Sequence, residues 1–254
     1  MNDSQEQKMR KIGSVFWQLL FPRVCPVCGE ILKKKLTEGE EPPFICPACY
    51  AKLQFVGDNG CMKCSRPVPE EEEYCDDCRK RKLLFDRGRA LLLHDEAARK
   101  ILYDLKYRNC RDNADFIGYE MAVQMGDSLR IWDADALIPV PLHPKRQLQR
   151  GYNQAERIAE SISYWTKRLY GLSLPVVCNV LFRTAYTRPQ KELGAGDRET
   201  NLRSVFRAEL PDALKRVVLV DDIFTSGSTL SACAAALKTA GAERVFFLTG
   251  SIVP

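Results

Sequence analysis

No stretch of this 254-residue chain approaches the ~20 consecutive apolar residues that a helix needs to cross a bilayer. The nearest candidate, residues 8–21 (KMRKIGSVFWQLLF), opens basic and turns apolar, but Gly13 and Gln18 interrupt it. No small-residue cleavage site follows, so neither a membrane bundle nor a secretory leader is expected. A strong excess of one charge is also lacking. The 38 Lys+Arg against 33 Asp+Glu leave +5, too little to require a nucleic-acid partner. Histidine is scarce. His94 ends a β-prone run and reads as packed, while His143 lies in a basic loop where a turn role and a phosphate contact are both open. Hydrophobic residues at 45% and charged residues at 28% exclude wholesale disorder and collagen. The length fits one large or two modest domains.

Cysteine is plentiful and unevenly placed. Eight of the eleven lie between Cys25 and Cys78, in four pairs of one spacing: Cys25–Cys28, Cys46–Cys49, Cys61–Cys64 and Cys75–Cys78. A C-x-x-C turn aims two thiolates at one point, and two such turns complete a tetrahedral four-sulfur shell. Without a secretory leader the compartment reads as reducing and cytoplasmic, where clustered cysteines hold metal rather than form disulfides. Four pairs make two closed sites, best suited to structural zinc, although iron also accepts four thiolates. Sequential pairing needs the shortest loops, and a cross-braced pairing stays open. The segment has few long apolar runs, so metal replaces much of the missing core. Residues 1–82 carry a formal +1, and two Zn²⁺ with eight thiolates shift that to −3, leaving +4 on residues 83–254. Glu70 to Glu73 read as a solvated loop. Ahead of the cysteines, Met9, Ile12, Phe16, Leu19 and Leu20 share one helical face, for packing on the ribbons or for a partner or membrane-surface contact.

From residue 85 onward short β-prone runs alternate with helical ones. Strands are expected at 90–94, 136–140, 179–182, 217–220 and 244–249. Helices are expected at 97–107, 114–129, 153–170 and 228–240. The third helix places Ala155, Ile158, Ala159, Ile162, Trp165 and Leu169 on one face. This alternation predicts an α/β fold, a mostly parallel sheet with flanking helices, preceded by the small double ribbon. The expected domains are 1–82, with the amino-terminal helix and ribbons, and 83–254.

The sharpest feature is the run Val217 to Leu230, VVLVDDIFTSGSTL. A buried strand leads to Asp221 and Asp222, then to a hydroxyl-rich loop with one glycine, then to a helix. Ligands of open parallel sheets bind beyond the carboxyl ends of the strands. A helix amino terminus presents free N–H groups and a positive dipole to phosphate. Gly227 allows close backbone approach, and Thr225, Ser226, Ser228 and Thr229 add donors. The paired acids accept hydrogen bonds from vicinal sugar hydroxyls, so the whole suits a ribose 5-phosphate. Two basic segments accompany it. Residues 143–157 contain Lys145, Arg146, Arg150, Gly151 and Arg157, and residues 183–207 contain Arg188 and Lys191 between Arg183 and Arg207. Gly194 and Gly196 mark the second segment as mobile. Cys110, Cys178 and Cys233 have no partner at metal spacing, and Cys233 reads as core.

The 217–230 run resembles the phosphoribosyl-pyrophosphate (PRPP) motif of the type I phosphoribosyltransferases. The segments Ile138-Pro-Val-Pro-Leu-His143-Pro-Lys145-Arg146 through Arg150-Gly151-Tyr152-Asn153-Gln154, and Arg183 through Arg188-Pro-Gln190-Lys191 with Asn201-Leu-Arg203, resemble the ComF family signature. With the cysteine pairs, the likeness covers nearly the whole chain. The resemblance implies a double zinc ribbon joined to a type I phosphoribosyltransferase fold. It implies PRPP at Asp221, Asp222 and residues 225–229, with Mg²⁺ on the pyrophosphate. Lys145, Arg146, Arg150, Gly151, Arg188 and Lys191 become candidates for pyrophosphate or DNA phosphate, and the family's flexible catalytic loop falls within 183–207. It further implies a role in single-stranded DNA uptake in natural competence, with a competence helicase as a partner at the inner face of the membrane. Many type I transferases carry an acid where this chain has Thr225, so no catalytic residue is assigned. The competing readings are a phosphoribosyltransferase acting on an acceptor unrelated to DNA, and a non-catalytic zinc-ribbon interaction module. Tyr107, Tyr152 and Tyr186, near basic residues, are the candidates for stacking on bases.

Overall fold

A computed structural model describes residues 22–32, 43–183 and 205–254. The apolar face at 9–21, Tyr186, Arg188, Lys191 and the glycines at 194 and 196 lie outside the described residues. The chain forms two compact units that divide between Leu53 and Gln54.

In the first unit, the Cys25–Cys28 turn is closed by backbone. Gly29 N–H donates to Cys25 O at 2.9 Å, and Cys25 N–H donates to Glu30 O at 2.7 Å. Gly29 makes the turn with φ +79°, a left-handed value that costs glycine little. The partner cysteines flank the start of a one-turn helix, α1 (Pro47–Tyr50), with Cys46 at its N-cap and Pro47 at its first position. Among the described residues of this unit, Cys25, Ile45, Cys49 and Leu53 are buried.

The second unit joins the second ribbon to the sheet. Its helix α2 (Asp76–Lys80) starts from Cys75. The sheet has strands β1 (Arg87–Leu93), β2 (Ala136–Pro139), β5 (Arg216–Phe224) and β6 (Arg244–Ile252), all parallel in the order β1-β6-β5-β2. Strands β3 (Leu181–Arg183) and β4 (Phe206–Ala208) form a separate antiparallel pair. Helices α3 (Glu96–Tyr107), α4 (Asp112–Ile131), α5 (Pro144–Arg150), α6 (Gln154–Tyr170) and α7 (Ser228–Thr239) complete the unit.

Alternation along the central strands assigns the two faces. Val217, Leu219, Val245 and Phe247 share one core with Leu230, Ala234 and Leu237 of α7. Phe85, Phe224 and Phe247 pack there ring against ring, with Phe85 edge-on at 4.8 Å to Phe247 and Phe224 stacked on Phe247 at 5.1 Å. Their intermediate neighbours face the other way. Gly250 of β6 lies against Leu102 of α3 and Ile117 of α4, and Phe246 stacks on Trp132. Helix α6 packs on α4, where Gly118 leaves room for Ser161. Both faces are therefore covered, which explains why Val217 to Val220 is an unbroken apolar run rather than an alternating one. Burying each such side chain contributes up to ~1.5–3 kcal/mol.

The expected parallel sheet with flanking helices is what forms, with differences at its margins. The acids belong to β5 itself, Asp221 in register with Thr249, and the strand ends at Phe224. The run at 179–182 contributes β3, outside the parallel sheet, while the free edge of β2 is met instead by the chain at Pro175 to Val177. The basic segment after β2 holds a short helix, α5. His143 caps it by accepting from Lys145 N–H at 3.2 Å, and Gly151 ends it in left-handed conformation. Pro144 at the first helical position is preorganised for this start. Leu169 stays exposed in the last turn of α6, beyond the reach of the face formed by Ile158, Ile162 and Trp165. No helix among the described residues is long and apolar enough to cross a membrane.

Candidate functional site

The loop Thr225–Gly227 joins β5 to α7 at the carboxyl edge of the sheet. Gly227 takes φ +73°, and a Cβ there would sit 2.8 Å from the Phe224 ring, so both conformation and space require glycine. Ser226 and Ser228 hydroxyls lie 2.9 Å apart. Helix α7 then begins with its first N–H groups uncapped by any Gly227 side chain, the arrangement that receives an anion.

One turn of strand earlier stand the acids. Asp221 Oδ1 accepts from Asp222 N–H at 2.9 Å. Asp222 Oδ2 is 2.9 Å from Lys106 Nζ at the end of α3, with both side chains 16% exposed. Burial first, and the adjacent Asp222 second, push the Asp221 carboxyl up to about 7; Lys106 and Arg183 oppose the shift. Burial and the neighbouring Arg146 push Arg183 down.

Lys106 also lines a cavity of about 440 Å³ with Tyr107, Asn109, Arg146, Gln149, Arg150 and Tyr152. The basic segment at α5 and the acids of β5 thus converge through Lys106. Arg150 lies 4.9 Å from the Tyr107 ring centroid and donates to its hydroxyl at 3.2 Å. Tyr107 is 61% exposed, whereas Tyr152 is buried and donates its hydroxyl to Leu105 O. Of the two tyrosines, Tyr107 is the exposed one, with the Tyr103 ring also 4.9 Å from its own, centroid to centroid. Lys145 is exposed at the start of α5, and Gly151 serves as its terminator.

Three further residues at the site escape sequence reasoning. Arg66 donates to Thr225 O at 2.8 Å, and Arg81 donates to Ser226 O at 2.6 Å and to Ser228 Oγ at 2.7 Å. Both arginines belong to the second ribbon, one following Cys64 and the other following Cys78. Lys106 is the third. The available signal for the arginines is weak: a basic residue two or three places after a zinc knuckle.

Each cysteine quartet gathers in sequential pairing, Cys25, Cys28, Cys46 and Cys49 in one and Cys61, Cys64, Cys75 and Cys78 in the other. Sulfurs within each lie within 4.8 Å of one another. The Cys28–Cys46 and Cys64–Cys75 separations are 3.7 and 3.6 Å. A tetrahedron with Zn–S of ~2.3 Å has edges of ~3.8 Å, so the quartets fit two structural zinc ions. Of the two roles open to His143, the structure shows the turn role. His94 Nδ1 pairs with Ser251 Oγ at 2.9 Å and burial lowers its pKa, while His143 is a helix cap. Cys233 is buried in the core, as expected.

The double zinc ribbon domain family matches residues 16–79. Competence protein F of Haemophilus influenzae is 29% identical over 209 residues, covering 79% of this chain and 87% of that protein. Competence protein ComFC of Streptococcus pneumoniae is 23% identical over 240 residues, covering 87% and 96%. Both matches extend over more than three quarters of this chain. Among solved structures, hypoxanthine-guanine phosphoribosyltransferase from Schistosoma mansoni in complex with IMP matches 56% of this chain and 64% of that one. Its identity is 15% and its TM-score 0.30. Within the second unit, the run Val217 to Leu230 forms the strand–loop–helix that the parallel sheet places at its carboxyl edge.

Proposed function

We propose that this ComF-type chain binds PRPP at the β5–α7 loop and acts in the handling of single-stranded DNA during natural competence. The observation that carries the first half is the direct passage from Asp221 and Asp222 into a loop turned by Gly227 at the start of a 12-residue helix. Phosphate meets free N–H groups and the helix dipole, and the acids accept from the ribose hydroxyls. Mg²⁺ enters with the pyrophosphate, neutralising its charge. Lys106, Arg146 and Arg150, lining one cavity beside Asp222, meet the pyrophosphate or a DNA phosphate. In this reading residues 1–82 and 83–254 are the two working modules.

The DNA half rests on the names of the relatives and on chemistry. Arginines beside an exposed aromatic face suit a strand whose phosphates carry charge and whose bases are unstacked. A cytoplasmic protein held at the inner face of the membrane through a competence helicase fits that role.

Calorimetric titration of Mg²⁺–PRPP into the zinc-loaded protein tests the site, with Asp222→Asn as the comparison. Binding by the parent and none by the variant supports the assignment. Equal affinity in both sinks it.

A further inference from the structure

The second ribbon does more than precede the sheet. Its two arginines hold consecutive peptide groups of the phosphate loop: Arg66 the carbonyl of Thr225, and Arg81 the carbonyl of Ser226. In a trans peptide the C=O and the following N–H point in opposite directions, and the described chain has no cis peptide. Drawing the Thr225 carbonyl toward Arg66 therefore turns the Ser226 N–H away from the ribbon. Drawing the Ser226 carbonyl toward Arg81 does the same for the Gly227 N–H. Successive N–H groups aimed to one side, ending in a left-handed residue, form an anion-binding concavity. Arg81 also fixes the Ser228 hydroxyl, which is linked in turn to Ser226 Oγ.

The arginines are themselves held by the zinc knuckles. Arg66 follows Cys64 by two residues and pairs with Asp77 at 2.7 Å, and Asp77 lies between Cys75 and Cys78. The Arg66 side chain is 15% exposed and lies 6.0 Å from the Phe224 ring. Arg81 closes α2, its N–H donating to Asp77 O at 2.9 Å. Each guanidinium serves two acceptors, Asp77 and Thr225 O for Arg66, Ser226 O and Ser228 Oγ for Arg81. A lysine ammonium cannot reproduce that planar fork.

We propose that Arg66 and Arg81 are positioning residues for the phosphate loop, so that the second zinc ribbon is a structural half of the anion site. The ligand part of this inference rests on the PRPP reading above; the geometric part does not. Arg66→Lys and Arg81→Lys keep the charge and remove the fork, and Arg79→Lys, on the exposed Glu72–Asp76 side of α2, is the control. Two readouts are taken on the full, zinc-loaded chain, with zinc content confirming that both quartets stay filled. One is the backbone ¹⁵N order parameter of residues 225–229 without ligand, and the other is Mg²⁺–PRPP affinity. Loss of the charge-assisted hydrogen bonds to the loop carbonyls should lower the order parameters of residues 226 and 227 from about 0.85 toward about 0.6 in either test variant, weaken affinity at least about fivefold, and leave Arg79→Lys unchanged. Order parameters equal to those of the parent in both test variants, with zinc retained, overturn the proposal. If the parent does not bind PRPP, the functional reading fails, and the order parameters still decide whether the arginines hold the loop.

Discussion

Lys106 Nζ stands 2.9 Å from Asp222 Oδ2, each side chain only 16% exposed, so the last turn of α3 supplies the counter-ion for an acid at the far end of β5. Removing one partner of such a pair leaves a charge with little water to replace it. We expect Lys106→Met to destabilise the protein by about 2–3 kcal/mol, less than a fully buried pair because some solvent remains. The double variant Lys106→Met/Asp222→Asn should recover part of the loss, since neither charge is then stranded. Urea unfolding of the four proteins of the cycle reads this directly, and strict additivity would show that the pair is not coupled.

Asp221 makes stability depend on pH in a direction opposite to the usual carboxylate. Its folded value of about 7 lies above the ~3.9 of an unfolded aspartate, so between these the folded state holds a proton that the unfolded chain has lost. The stabilising contribution is complete below about pH 4 and is lost as pH rises through about 7. Thermal midpoints across this window should fall with rising pH in the parent relative to Asp221→Asn, which carries no such proton. Parallel curves for the two proteins would mean that Asp221 titrates normally.

The strand–loop–helix at the centre of the site was legible because each step leaves a local mark. Val217 to Val220 is apolar without alternation, since helices cover both faces, and Gly227 stands where both a positive φ and the Phe224 ring exclude a side chain. The cysteine quartets were legible for a similar reason, two ligands per tight turn. What lay hidden is long-range. Arg66 and Thr225 are 159 positions apart, and Arg81 and Ser226 145, so no periodicity or spacing links them. Lys106 looks like an ordinary lysine on the polar side of an amphipathic helix until α3 is laid across the sheet. The run at 179–182, expected within the alternation, forms β3 outside the parallel sheet, and its partner β4 is not expected at all, because a three-residue strand carries no signal for which sheet it joins. Helix α5 was read as loop because its buried face is empty, and only its His143–Pro144 start and Gly151 stop give it away.

Two zinc ions per chain are expected by elemental analysis, one for each quartet. Cys28→Ser and Cys78→Ser should each lower the count to near one. Because Asp77, which holds Arg66, sits inside the Cys75–Cys78 turn, Cys78→Ser should also weaken Mg²⁺–PRPP binding. A parent count near one would refute the two-site reading, and a chelated protein that keeps its unfolding transition unchanged would refute the structural role of the metal.

The basic cavity gives a test for DNA that does not depend on sequence. Arg146 and Arg150 both line it, and Arg150 lies over the ring of Tyr107, an exposed residue. If each arginine meets one phosphate of a single strand, each removes a condensed counter-ion on binding. The slope of log affinity against log salt should then shrink by about 0.7 for each arginine replaced, so Arg146→Ala/Arg150→Ala should lose about 1.4. Tyr107→Ala should instead weaken binding by about 1–3 kcal/mol at every salt concentration and leave the slope unchanged, because base stacking releases no ions. Fluorescence anisotropy with a labelled oligothymidylate over a salt series separates the two effects. A slope unaltered by the arginine substitutions would place the strand elsewhere on the protein, and the cavity would then be left to the pyrophosphate alone.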